Sequence, residues 1–127
     1  MPRHPVYTPH APSHSLYSQG VKAGPFIYVS GMAGIDTEIR GLAGDTIQAQ
    51  TKEAIKNCSA ILYAADASLD DVVEVGVLLA NPADFAGMNE AYSVWFPVDP
   101  PTRYVAKLGV DAPGILVSIR MTAYVGT

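Results

Sequence analysis

Apolar and polar positions along the chain fall into two helical periods and several alternating runs. Ile47, Thr51, Ala54, Ile55, Cys58, Ile61, Leu62 and Ala65 recur at three- and four-residue spacing, with Gln48, Lys52, Glu53 and Lys56 on the other side. That period predicts an amphipathic helix with one buried stripe, and Asp45 just before it suits an N-cap. A shorter stripe joins Phe85, Met88, Tyr92 and Trp95. Asn81-Pro82 caps this second helix with proline at its first helical position, and Pro97 ends it. Methionine and aromatic residues at this spacing read as core packing rather than a cofactor seat.

The remaining runs alternate or are apolar throughout. Ser18 to Ala23, the turn signal Gly24-Pro25 and Phe26 to Ser30 predict a hairpin. Phe26, Tyr28 and Ser30 share one face of its second strand and Ile27 and Val29 the other. Residues 31–44 hold glycines at 31, 34, 41 and 44 and read as loop, with a short strand about Ile35 to Ile39. Val72 to Leu79 is apolar on nearly both faces, as expected of a central strand covered on two sides. Tyr104 to Leu108 reads as a short strand. After the turn at Pro113-Gly114, Ile115 to Val125 forms the last one. There Val117, Ile119, Met121 and Ala123 face one way, and Leu116, Ser118, Arg120, Thr122 and Tyr124 the other.

These elements predict an α+β fold: one domain with a mixed, mainly antiparallel sheet and both helices on one face. Residues 1–16, rich in proline and histidine, read as an extended N-terminal arm with Val6-Tyr7 as a short edge strand, and residues 17–127 as the domain. The uncovered sheet face is costly for a monomer to expose. Burial between symmetric copies relieves that cost.

Composition narrows the function classes. The chain has 127 residues, 49% of them hydrophobic and 16% charged, with a net charge of −4. An acidic chain with scattered Lys and Arg does not bind nucleic acid through a basic face. It has no apolar run long enough for a transmembrane helix, and Met1-Pro2-Arg3-His4-Pro5 is no secretory signal. The single cysteine, Cys58, excludes an internal disulfide framework and fits a reducing, cytoplasmic setting. Its place in the helical stripe makes it core rather than nucleophile. His4, His10 and His14 do not share a helical face, and no Cys or carboxylate set completes them, so no metal is expected.

Most familiar chemistry is missing. There is no phosphate-binding glycine loop and no G-x-G-x-x-G after a strand. There is no G-x-S-x-G elbow, and no histidine beyond residue 14 to serve a nucleophile. Asp70, Asp71, Glu74 and Asp84 could supply a carboxylate pair, but of these Glu74 alone sits in an obvious cleft strand. The positive signal is Asp99-Pro100-Pro101-Thr102-Arg103-Tyr104-Val105. Each proline fixes its own φ and pushes the residue before it towards an extended conformation, so a stiff turn delivers Arg103 to a strand. A guanidinium so held suits a planar carboxylate. The spacing alone leaves open whether Arg103 is such a receptor or a surface cation.

Leu16 to Gly24, Val29-Ser30-Gly31, Ala67 to Val73, Phe85 to Tyr92 and Pro100-Pro101-Thr102-Arg103, in one order and register, resemble the Rid (reactive intermediate deaminase, RidA/YjgF-like) family. The resemblance implies a chorismate-mutase-like homotrimer with ligand clefts between subunits. It also implies hydrolysis of 2-imino or 2-enamino acids to 2-oxo acids and ammonia, without metal or organic cofactor. Arg103 matches the family residue that binds the substrate carboxylate, Gly31 a backbone N–H assisting it, and Tyr17 and Ser30 cleft contacts. Val105 stands where many members have Cys, and its backbone carbonyl matches one near the attacking water. Ser118 stands in place of a Glu thought to orient or activate that water. Arg120 replaces a second acidic position, either entering the cleft to suit a dicarboxylic, aminomuconate-like acid or making a structural contact. Ser118 also leaves room for a non-catalytic protein that senses 2-oxo acids. The ribonuclease or translation-inhibitor activity sometimes attached to the family is disfavoured by the charge.

Overall fold

Six strands form one sheet with the helices against one face. The structure, a computed structural model, describes residues 2–126. The strands are β1 (His4–Val6), β2 (Gly20–Ala23), β3 (Phe26–Ala33), β6 (Val72–Leu79), β7 (Thr102–Lys107) and β8 (Val117–Tyr124), in the order β1-β2-β3-β8-β6-β7. β4 (Ile35–Asp36) and β5 (Gly41–Leu42) make a separate small hairpin. All pairings in the main sheet are antiparallel except β6 with β7. That parallel step requires a crossover, and α2 (Phe85–Tyr92) lies within it.

The long helix α1 (Ile47–Ala64) packs across β3 and β8, and α2 packs on α1. The stripe read from the sequence is the buried one: Ala54, Ile55, Cys58, Ile61 and Leu62 are fully enclosed. They meet Ile27, Val29, Val75, Val77, Val117, Ile119, Met121 and Ala123, which alternate along their strands to the helix side. The cap is Thr46 rather than Asp45, because it is the Thr46 hydroxyl that accepts from the Ala49 N–H, at 3.2 Å. Two polar residues of α1, Gln50 and Asn57, are buried. Gln50 donates to the carbonyls of Gly44 and Gly114 and accepts from Leu116 N–H, each at 2.9 Å. Asn57 donates to Ala33 and Ile35 carbonyls. Gln50 satisfies loop backbone, and Asn57 the strand ends on either side of Gly34, that the core would otherwise leave unpaired.

Other expectations shift at their edges. β3 continues through Gly31 to Ala33 by way of a bulge between Val29 and Met32, so the predicted loop begins later. β7 starts at Thr102, where the Thr102 hydroxyl donates to Val73 O at 2.9 Å. β8 starts at Val117, since Gly114 (φ 80) and an Ile115 N–H to Ala112 O bond keep the chain turning before it. Past the Asn81 cap, a 3₁₀ turn over Pro82–Asp84 precedes α2. The helix stops at Tyr92, short of Trp95 and Pro97. Asp99 departs from the extended conformation expected before a proline, at φ 46, a region aspartate tolerates better than most residues.

β6 lies inside the sheet, but in a single chain only its helix face is covered. Glu74 is exposed and Leu78 half-buried, and Gly76 is enclosed because the Tyr104 ring lies where its Cβ would be. The N-terminal segment is less loose than an extended arm. His4–Val6, rather than Val6-Tyr7, pairs with β2. The buried Gln19 side chain accepts from Thr8 N–H and donates to the carbonyls of Thr8, Ala11 and Pro12. Among the described residues no helix is long and apolar enough to cross a membrane.

Candidate active site

β7 and α2 together hold one arginine in a defined seat. The parallel register sets Arg103 beside Val75, Val105 beside Val77 and Lys107 beside Leu79. Those three β6 residues are buried under the helices, so Arg103, Val105 and Lys107 project to the helix side and Tyr104 to the open side. Facing Arg103, α2 presents Phe85, Met88, Asn89 and Tyr92, which share one helical face. The Arg103 Nη1 donates to Asn89 Oδ1 at 2.7 Å and lies 3.9 Å from Met88 Sδ. Its guanidinium carbon is 4.8 Å from the Tyr92 ring centroid and 5.8 Å from that of Phe85.

The electrostatics follow from these partners. An amide and two aromatic faces hold the cation without neutralising it, and among the described residues no carboxylate forms an ion pair with it. A half-buried guanidinium fixed in this way is pre-organised for a carboxylate or another planar anion. The Tyr92 hydroxyl is buried with no hydrogen-bond partner among the described residues. Burial pushes the Tyr92 pKa up, and neighbouring Arg103 opposes the shift. The stripe read as plain core is thus core at Met88 and Tyr92 and also the seat of the arginine. Asn89 was missed, although a lone amide within an apolar stripe was its visible signal.

A second group gathers around β3 and β8. The Ser30 hydroxyl donates to Ser18 O at 2.6 Å, and Ser30 N–H to Gln19 O at 2.9 Å. Tyr17, Ser18 and Ser30 line one cavity of about 470 Å³. The Tyr17 ring stacks on His14, whose Nδ1 accepts from Leu16 N–H. A Cβ on Gly31 would sit 2.9 Å from Ser118 Oγ, so glycine here leaves the hydroxyl its space. Ser118 pairs with Ala33 and Leu78 and, opposite in sense to buried Val117 and Ile119, faces the open side of the sheet.

One chain does not bring the two groups together. β8 and β6 separate β3 from β7, three strand spacings or about 14 Å. Arg103 and Ser118 also project to opposite faces. Arg120, on the face of Ser118, is tied within the sheet, donating to Glu74 Oε1 at 3.1 Å and to Thr122 Oγ1 at 2.6 Å. Cys58 is enclosed, its thiol donating to Ile119 O, and burial pushes its pKa up to about 12. Among the described residues no three His, Cys, Asp or Glu side chains gather into a metal-ligating cluster.

The sheet and the helix layer define a small α+β domain with one arginine seated between β7 and α2. The family pattern described as endoribonuclease L-PSP matches residues 8–125, and the chain belongs to this family, the Rid family of RidA/YjgF-like proteins. A RutC family protein of Pyrococcus abyssi is 39% identical over 125 residues, 98% of each chain. The 2-iminobutanoate/2-iminopropanoate deaminase of Mus musculus is 34% identical over 110 residues, 87% of this chain and 82% of that one. The crystal structure of a putative endoribonuclease L-PSP from Entamoeba histolytica superposes with a TM-score of 0.91 at 31% identity, covering 97% of this chain and 99% of the other.

Proposed function

We propose that this protein is a deaminase that hydrolyses 2-imino or 2-enamino acids to 2-oxo acids and ammonia. The observation that carries the reading is Arg103: a guanidinium immobilised by Asn89, Phe85 and Tyr92 and, among the described residues, without a counter-ion. A substrate carboxylate completes it, and that contact fixes the orientation of the adjacent C=N carbon. An enamine first becomes the imine as a proton moves from nitrogen to C3. Water adds to the imine carbon to give a carbinolamine, the two protons of that water pass to the nitrogen through solvent, and the C–N bond breaks as C=O forms, releasing ammonia and the 2-oxo acid. The imine carbon is electrophilic, especially when protonated, so positioning supplies much of the barrier reduction. The Ser118 hydroxyl is able to hold a water but not to take its proton at neutral pH. The reaction therefore runs without the roughly 10²–10⁴-fold that a general base contributes.

The separation of the two groups within one chain supports a cleft shared between copies. Tyr17, Ser30 and Gly31 of one subunit then approach Arg103 and Val105 of another. The open sheet face supports the same assembly, since Phe26, Tyr28, Tyr104 and Tyr124 are each 38–47% exposed there. A homotrimer of this kind buries these rings and completes the site with one step.

A second reading is a 2-oxo acid binding protein with the same anchor and no turnover. It is favoured by Ser118 and by Glu74, a carboxylate on the same sheet face, being tied to Arg120. The two separate in one experiment, in which imines generated by an amino-acid oxidase are mixed with wild-type protein or with Arg103→Ala. Faster imine decay with wild type alone supports the deaminase. Equal decay in both removes it, and 2-oxo acid binding that Arg103→Ala abolishes then leaves the sensor.

A further inference from the structure

Beside the arginine receptor lies a cavity that the carboxylate anchor does not use. It has a volume of about 430 Å³ and is lined by Leu79, Pro82, Phe85, Val105, Ala106 and Lys107. This is within the range of small-molecule sites. Its walls are apolar, and Phe85 is common to both features, since the same ring lies 5.8 Å from the Arg103 guanidinium carbon. The cavity therefore adjoins the arginine through that ring.

Lys107 ends this cavity with a charge. It follows Arg103 and Val105 on the same face of β7, as their pairing with Leu79, Val75 and Val77 requires. Four residues of strand put its Cα about 13 Å from that of Arg103, a span that two long, flexible side chains reduce. Among the described residues Lys107 has neither an ion pair nor a side-chain hydrogen bond. Arg120 is a weaker candidate for a distal anion, because it already holds Glu74 and Thr122 and sits on the other face of the sheet.

We infer that Lys107 is a specificity residue that selects acids with a second anionic group at the far end of an apolar chain. Arg103 holds the 2-imino carboxylate, Val105, Leu79 and Phe85 contact the methylenes, and the Lys107 ammonium meets the distal carboxylate. This rests on Arg103 being the carboxylate anchor. A short aliphatic acid fills only the apolar part of the cavity and leaves the ammonium in water. The distal contact is partly solvated, so its effect is moderate and weakens with salt.

Calorimetric titration tests this with product-like probes: 2-oxobutanoate, 2-oxoglutarate and 2-oxoadipate, against wild type, Lys107→Met, Lys107→Arg and Arg103→Ala. The expected result is that a diacid binds wild type roughly five- to tenfold more tightly than 2-oxobutanoate. Lys107→Met brings that ratio close to one, and Lys107→Arg retains it. Equal affinities for mono- and diacids in wild type, or a diacid advantage that survives Lys107→Met, overturns the role of Lys107 and leaves the anchor in place. Failure of every probe to bind, or binding that Arg103→Ala does not weaken, overturns the anchor and this inference with it.

Discussion

Asn89 Oδ1 accepts a 2.7 Å hydrogen bond from Arg103 Nη1, linking α2 to the edge strand β7. The acceptor is neutral, so the arginine is oriented while its charge stays available. A carboxylate at the same place makes an ion pair and competes with the ligand. Asn89→Asp is therefore expected to lower 2-oxo acid affinity by about 10- to 100-fold, the range of hydrogen bonds to charged groups. Asn89→Ala, which only loosens the guanidinium, costs about fivefold. Calorimetry on both variants checks the order; an aspartate milder than the alanine contradicts it.

Ser118 is expected to limit the rate rather than the binding. Ser118→Glu places a carboxylate beside Gly31, where no Cβ obstructs it. The variant should raise kcat on an imine by about 10²-fold, the low end for an added general base. The gain should fade as pH drops below about 4.3, where a glutamate takes up its proton. A rate that stays at the wild-type value across that pH range shows that water activation does not occur at this position.

Gln50 bonds to Gly44 O, Gly114 O and Leu116 N–H from within the core. Gln50→Leu keeps the volume and strips three buried partners, two of them carbonyls. A loss of about 3 kcal/mol in urea unfolding is expected. Gln48→Leu, on the exposed side of the same helix, is the control and should change stability little.

Cys58 gives a pH dependence with a definite sign. Its folded pKa is raised from 9.0 to about 12 by burial. The unfolded chain therefore releases this proton first as pH rises. The contribution is whole below pH 9 and is lost progressively between about 9 and about 12. Native protein at pH 8 should resist a thiol reagent that labels the unfolded chain within minutes. Equal labelling of both contradicts the enclosure of Cys58.

Much of the fold was legible because burial follows period. The α1 stripe and the alternation in β8 are direct records of which side faces the core. What was not legible depends on contacts between distant segments. Gln50 and Asn57 look like surface residues until the loops they hold are in place, and Asp99 breaks a local rule that says nothing of the strand start it serves. At the site, Arg103 was visible through its stiff turn. Its seat was not, because Phe85, Met88 and Tyr92 carry the same period whether they pack on a core or on a cation. Period two already puts Lys107 on the face of Arg103 in β7, but that this face is the helix side is visible only with the register to β6.

Arg103 is expected to receive the substrate carboxylate. The most direct test is titration of 2-oxobutanoate into wild-type protein, Arg103→Ala and Arg103→Lys, with far-UV circular dichroism confirming that each variant is folded. Wild type should bind saturably, Arg103→Ala should lose at least about tenfold, and Arg103→Lys, whose point charge lacks the planar fork, should recover only part of that loss. Undiminished binding by folded Arg103→Ala would contradict this role.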